Sequence, residues 1–206
     1  MDDYIKIPHR IEEKSFEIIT EELGSKTFSE DVGKIIKRII HTTADFQYAE
    51  TTQISPGAID IAKAVMRAGT NIITDTKMVM AGINKNKLEQ FGCSVNCLIS
   101  HEDVIETAKQ KGITRAMAAI EKAVLDKNNK IFVIGNAPTA LFQLKEYIEK
   151  GIIRPELVIG VPVGFVGAVE SKEAFSKLDI PYIITKGRKG GSTVAAAIVN
   201  AILYML

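Results

Sequence analysis

IFVIGNAPTALFQLKEYIEKGIIRPELVIGVPVGFVGAVE, residues 131–170, repeats one pattern twice. A short apolar run at 131–134 meets Gly135 and Pro138 and gives way to a helical stretch ending near Lys150. A second run at 157–161 meets Pro162, Gly164 and Gly167 and gives way to another helix. Brief runs of β-branched and aromatic residues bounded by glycine and proline read as fully buried strands. Working outward, the same unit recurs. Strands are predicted at 71–74, 94–99 and 182–184, and the last runs into Lys186-Gly187-Arg188-Lys189-Gly190-Gly191-Ser192 and a final helix. About five strands alternating with helices predict an α/β fold with a mostly parallel sheet covered on both faces.

The remaining helices carry their own start and stop signals. Pro8 suits the first turn of a helix that runs to Leu23 and stops at Gly24. Ile11, Ile18 and Ile19 mark its expected buried stripe. Ser29 caps a second helix with Glu30 and Asp31 in its first turn, where the helix dipole favours negative charge. Its core face is Val32, Ile35, Ile36, Ile39 and Ile40, and it ends around Thr42-Thr43-Ala44-Asp45. Ser55-Pro56 predicts a further helix to Gly69 in the same cap pattern, and Thr114 caps one through about Leu125 with Arg115 at its beginning. The final helix is apolar nearly all round, which implies burial on more than one side: a subunit interface is the expectation, and a deep position against the sheet is the alternative.

The chain has 206 residues, a length that fits one domain over 1–206 with a real core. Its formal net charge of +1 gives no bulk electrostatic case for nucleic acid or an acidic membrane. Two cysteines make no disulfide framework and point to a reduced, cytoplasmic setting. The start, MDDYIKIPHRIEEKS, lacks an apolar signal core, and no apolar run reaches the length of a membrane span.

Three glycine-bearing loops follow strands and open helices. In an open α/β sheet that is where ligands sit, and glycine lets backbone N–H groups approach an anion. The 186–192 loop adds Lys186, Arg188 and Lys189, so the expected ligand bears several carboxylates or phosphates. The nucleotide fingerprints fail. Gly160, Gly164 and Gly167 are spaced GxxxGxxG, and the 186–192 loop lacks the GK[ST] ending of a P-loop. Cys93, Cys97 and His101 are evenly spaced, but cysteines on a strand are commonly structural and no fourth ligand is near. Asp75, at a strand end, either meets a ligand or caps the next helix.

Lys34, Arg38 and His41 align as a polar stripe beside the apolar face of the second helix. His41 falls near that helix's C-terminus, where the dipole favours imidazolium while Lys37 and Arg38 disfavour it. Such a histidine is a candidate proton donor or acceptor near neutral pH. Ser15 shares the stripe of Ile11 and Ile18. Its hydroxyl either bonds back to the preceding turn or faces something bound there.

RIIHTTADFQYAE at 38–50, IGNAPTALFQL at 134–144, IGVPVGFVGAVESKEAF at 159–175 and GRKGGSTVAAA at 187–197 together resemble the precorrin-8X methylmutases of cobalamin biosynthesis. EEKSFEII at 12–19 agrees in position, and the resemblance covers nearly the whole chain. It implies a three-layer α/β/α sandwich, a homodimer, and an intramolecular methyl shift from C-11 to C-12 of a corrin-type ring, giving hydrogenobyrinic acid or, with cobalt inserted, cobyrinic acid. It implies neither an organic cofactor nor a protein-bound metal. By the same resemblance His41 is the catalytic histidine, Ser15 and Arg38 contact the substrate, and Arg115 lies near it. A tetrapyrrole carrier with no turnover and a nucleotide-dependent α/β enzyme are the rival classes.

Overall fold

The computed structural model describes residues 5–206. In chain order the elements are α1 (Pro8–Leu23), α2 (Glu30–Thr43), α3 (Tyr48–Thr51), β1 (Thr52–Ile54), α4 (Ala58–Arg67), β2 (Asn71–Thr74), α5 (Lys77–Gly82), α6 (Lys85–Glu89) and β3 (Ser94–Asn96). There follow α7 (Glu102–Lys111), α8 (Arg115–Ala123), β4 (Asn129–Ile134), α9 (Pro138–Glu149), β5 (Leu157–Gly160), α10 (Ala168–Phe175), β6 (Tyr182–Thr185) and α11 (Ser192–Leu203). The strands form one sheet in the order β1-β6-β5-β4-β2-β3. Every neighbouring pair is parallel except β1 with β6.

The sheet therefore has six strands, one more than the sequence predicts. β1 is three residues long and emerges from α3 with no turn signal between them, so nothing in its composition announces a strand. Its presence also changes the role of Ser55. Ser55 caps no helix: its Oγ accepts from the Tyr182 amide at 2.8 Å and its own amide donates to the Tyr182 carbonyl at 3.0 Å, prolonging the edge pairing. Helix α4 begins later, after Gly57 in the left-handed conformation (φ 75°). β3 also stops short of the predicted 94–99 span, at Asn96.

One face of the sheet is covered by α1, α2, α4, α5 and α11 around a core that includes Ile35, Ile39, Met66, Ile131, Ile159 and Ile198. The other is covered by α8, α9 and α10 around Ile120, Phe132, Leu141, Val158 and Phe175, with α7 packed on α8. This is the expected three-layer arrangement. Alternation decides which side chain faces which layer: Ile131 and Val133 enter the first core, Phe132 and Ile134 the second. Helix α11 lies deep in its layer between α2, α5 and α4, with nine of its twelve residues buried. Its apolar surface is consumed within the chain, which favours the deep position against the sheet over the expected subunit interface.

Helix α1 departs from its expected burial. Ile19 and Leu23 are covered, but Ile11 and Ile18 are 46% and 42% exposed. The helix packs chiefly on α2, so only the part of its stripe that overlies α2 is buried.

Candidate active site

α2 is fixed by four buried isoleucines, Ile35, Ile36, Ile39 and Ile40, and Val32 packs partly against the same core. Ser29 is its N-cap in extended conformation without a side-chain cap bond, and the helix closes at Ala44 (φ 53°), whose amide donates to the Ile40 carbonyl at 2.7 Å. His41 stands exposed in the last turn, its ring stacked on Phe16 of α1 at 5.2 Å between centroids and 19° between planes. Among the described residues neither ring nitrogen has a hydrogen-bond partner. One turn back, the Arg38 guanidinium lies between the rings of Phe16 (4.8 Å) and Tyr204 (5.0 Å) and donates from Nη1 to Glu12 Oε1 at 2.7 Å. Phe16 thus meets both candidate residues with its ring. Ser15, its chain neighbour, donates to the Ile11 carbonyl at 2.7 Å. Its hydroxyl keeps lone pairs to accept a bond but its proton is engaged.

Two grooves flank this ridge. One of about 970 Å³ carries Glu12, Glu13, Glu17 and Glu21 beside His9, Lys14 and Arg38. A ligand fringed by carboxylates is repelled there. The other, about 300 Å³, is lined by Lys34, Lys37 and Arg38 with Phe16, Tyr204 and Met205, and its charge suits such a ligand.

The carboxyl ends of the parallel strands hold the three glycine loops, and the loops are not alike. The first is already occupied from within. Asp75 is buried and accepts from the amides of Gly135 (3.0 Å), Asn136 (2.8 Å) and Ala137 (2.7 Å). Those amides lie in the loop that leads into α9, so Asp75 occupies that loop from within. Burial pushes its carboxyl above the ordinary range, against the pull of the three amides.

The second loop, 161–167, projects Phe165 and Val166 into solvent at 82% and 90% exposure. The third, 186–191, lies against it. Gly164 donates its amide to the Arg188 carbonyl at 3.1 Å, and the Arg188 guanidinium sits over the Phe165 ring at 5.3 Å. Lys189 forms an ion pair with Asp45, whose carboxyl it holds below the usual range. Asp45 follows directly on the end of α2, so this pair ties the helix end that bears His41 to the third loop.

Arg115 begins α8, capped by Thr114 Oγ1 accepting from the Met117 amide at 3.2 Å. A Thr114–Thr139 hydroxyl contact of 3.0 Å links that start to the start of α9, just past the end of β4. Arg115 therefore stands at the carboxyl edge, exposed, but in the layer opposite to α1 and α2. The structure brings His41, Arg38 and Phe16 into contact, places Ser15 beside them, and sets Arg115 apart.

Sequence reasoning missed Phe16, Tyr204 and the buried Lys172. An aromatic residue on an amphipathic helix reads as core, so no spacing marks Phe16 as a stacking surface. The cysteines are free and buried, with Cys93 Sγ donating to the Met66 carbonyl at 3.2 Å, and His101 faces the Lys122 ammonium at 3.3 Å. Among the described residues no group of His, Cys, Asp and Glu is arranged to hold a metal ion, and no helix is long and apolar enough to cross a membrane.

An exposed histidine on an aromatic wall, beside a sheet edge that carries cations and exposed apolar side chains, suits an α/β enzyme for an anionic, largely apolar ligand. The comparisons narrow the class. Residues 10–205 match the sequence model of the precorrin-8X methylmutase family. Cobalt-precorrin-8 methylmutase of Leptospira interrogans is 48% identical over 95% of this chain and 92% of its own. That of Salmonella typhimurium is 46% identical over 98% of each. A solved structure of precorrin-8X methyl mutase from Thermus thermophilus superposes with a TM-score of 0.87 at 39% identity, covering 95% of this chain and 96% of that one. The chain belongs to the precorrin-8X methylmutase family, isomerases that move a methyl group within one molecule.

Proposed function

We propose that this protein converts precorrin-8, with or without cobalt, to hydrogenobyrinic or cobyrinic acid by moving the C-11 methyl to C-12, in the cobalamin pathway of the cytoplasm. The observation that carries the mechanism is His41: exposed, steadied by Phe16, and with no hydrogen-bond partner for either ring nitrogen among the described residues. The substrate is a flat apolar ring edged with carboxylates. Apolar Phe165 and Val166 suit its face, while Arg188, Lys186 and the loop amides suit its rim. Arg38 meets a carboxylate as a guanidinium already oriented by two rings, and Ser15 accepts a bond from the substrate. Arg115 reaches the same ligand across the strand ends or from a second subunit. The exposed Ile11 and Ile18 on α1 support a homodimer.

The methyl never leaves the substrate, so no donor is required. In the metal-free ring, His41 hands a proton to a ring nitrogen, which draws electron density from the π-system and eases migration. The isomerisation has no net proton change, so the proton returns to His41 as product forms. When cobalt occupies the ring nitrogens they have no lone pair to protonate, and the metal does the withdrawing.

His41→Ala should therefore lose about 10² to 10⁴ in turnover of the metal-free precursor. It should lose clearly less with the cobalt form and still bind product. Absorbance-monitored turnover of both precursors decides it. Undiminished conversion of the metal-free precursor would remove His41 from this role. Tight binding without any conversion by the unaltered protein would favour the carrier reading.

A further inference from the structure

Lys172 is the most deeply buried charged side chain among the described residues, 1% exposed, and it has no carboxylate partner. It extends from α10 and donates from Nζ to the Lys189 carbonyl at 2.9 Å and towards Thr185 Oγ1 at 3.4 Å. Thr185 Oγ1 donates to the same Lys189 carbonyl at 2.8 Å. Thr52, directly across the β1–β6 ladder from Thr185, holds a buried Oγ1 with no hydrogen-bond partner among the described residues. A lone ammonium is thus enclosed at the base of the 186–191 loop. Removing one charge from water without pairing it costs several kcal/mol, so a fold that keeps it has a use for it or a counter-charge to come.

The loop above supplies the reason. Three successive carbonyls are turned toward the protein. Arg188 O accepts from the Gly164 amide, Lys189 O from Lys172 and Thr185, and Gly190 O from the Tyr48 hydroxyl at 3.5 Å. The amides of Gly187, Arg188, Lys189 and Gly190 have no acceptor within the described residues, whereas those of Lys186 and Gly191 are bonded to Thr51 O and Val161 O. Free amides in a run, with neighbouring carbonyls pinned away, are available to an anion. Gly190 has no space for a side chain: a Cβ there would drive into the Val161 carbonyl.

We propose that Lys172 is a positioning residue for substrate carboxylate binding: it pins the 186–191 loop with its carbonyls inward and its amides free, and it supplies the positive charge beneath them that an incoming carboxylate balances. This rests on the reading that the loop receives a substrate carboxylate, and the experiment separates the two. The probes are the polycarboxylate product, hydrogenobyrinic acid, and its methyl ester, which keeps the ring and discards the rim charge. In the unaltered protein, hydrogen exchange over residues 187–190 should slow when the acid binds and not when the ester binds. Equal exchange with and without acid overturns the loop reading itself.

Given that slowing, Lys172→Met should weaken the acid about tenfold while changing ester affinity by less than about threefold. KM should rise with kcat nearly unchanged, because the proton transfer is His41's. A merely structural lysine would lower both affinities together, and that outcome, or no change in either, overturns the proposal for Lys172 alone. Lys172→Gln, which retains a donor for the Lys189 carbonyl without the charge, should fall between the two and provides the same test if the methionine variant does not fold.

Discussion

Lys172 keeps its charge against an unfavourable environment, and that has a signature in stability. Burial lowers its pKa from the ordinary 10.5 to about 8. Between those two values the unfolded chain holds a proton that the folded chain has released. Folding stability from this group therefore rises as pH climbs from about 8 toward 10.5, and is at its lowest below that window, where the ammonium is enclosed. At about 1.36 kcal/mol per pKa unit the gain is on the order of 3 kcal/mol. Urea midpoints at pH values spanning the window should rise for the unaltered protein relative to Lys172→Met, in which that contribution is absent. Parallel profiles would show that the lysine is not desolvated. The sequence contained the clue. Ala168, Lys172 and Phe175 lie at the spacing of a buried helical stripe, and a lysine on that stripe is a conflict between residue type and position. Such a conflict marks a candidate without saying what it serves. The carbonyl that Lys172 meets belongs to residue 189, and no local pattern connects the two. His41 was legible for the opposite reason, since its place at a helix end beside an apolar stripe follows from α2 alone.

Elements show the same division between local and distant causes. Strands β2, β4, β5 and β6 were readable because burial on both faces makes them continuous apolar runs, and helix limits such as Pro8, Gly24 and Thr114 were readable because caps act within one turn. β1 was not, because a three-residue edge strand exists only through its partner β6. Asp75 was equally unreadable as the partner of a loop it precedes by some sixty residues: its three amide bonds cross from the end of β2 to the loop that leads into α9. The 186–191 loop permits a prediction at this scale. Gly187 (φ +73°) faces open space, so Gly187→Ala meets only left-handed backbone strain, about 1–2 kcal/mol. Gly190 (φ +157°) would drive its new methyl into the Val161 backbone, which is held on both sides by the bond of its amide to the Ile134 carbonyl and of the Gly191 amide to its own carbonyl. Gly190→Ala should therefore destabilise by at least 2 kcal/mol more than Gly187→Ala in denaturant unfolding, and it should release the carbonyl that Tyr48 holds. Equal costs would mean that the loop sits away from Val161 in solution.

At the scale of the molecule, the described chain leaves uncovered not only Phe165 and Val166 but also the outer stripe of α1. Ile7 and Ile11 stand one turn apart, Ile18 follows two turns on, and all three are exposed. The sequence spacing marked Ile11 and Ile18 as buried, and in the subunit both face solvent. Amphipathicity records an apolar face without naming what, if anything, covers it. In the homodimer proposed above, two-fold symmetry sets each interface residue twice, so a charge placed on the stripe incurs its desolvation cost in both copies. The same substitution is cheap in the isolated subunit, where these side chains already face water and exposed changes usually stay within about 0.5 kcal/mol. Ile11→Lys combined with Ile18→Lys should therefore leave helical content and thermal unfolding of the subunit nearly intact while shifting sedimentation from dimer to monomer at micromolar concentration. A dimer that survives both charges would move the interface to another face. Loss of fold together with loss of dimer would mean that α1 docks only in the assembled state, which the exposed stripe and its contact with α2 argue against.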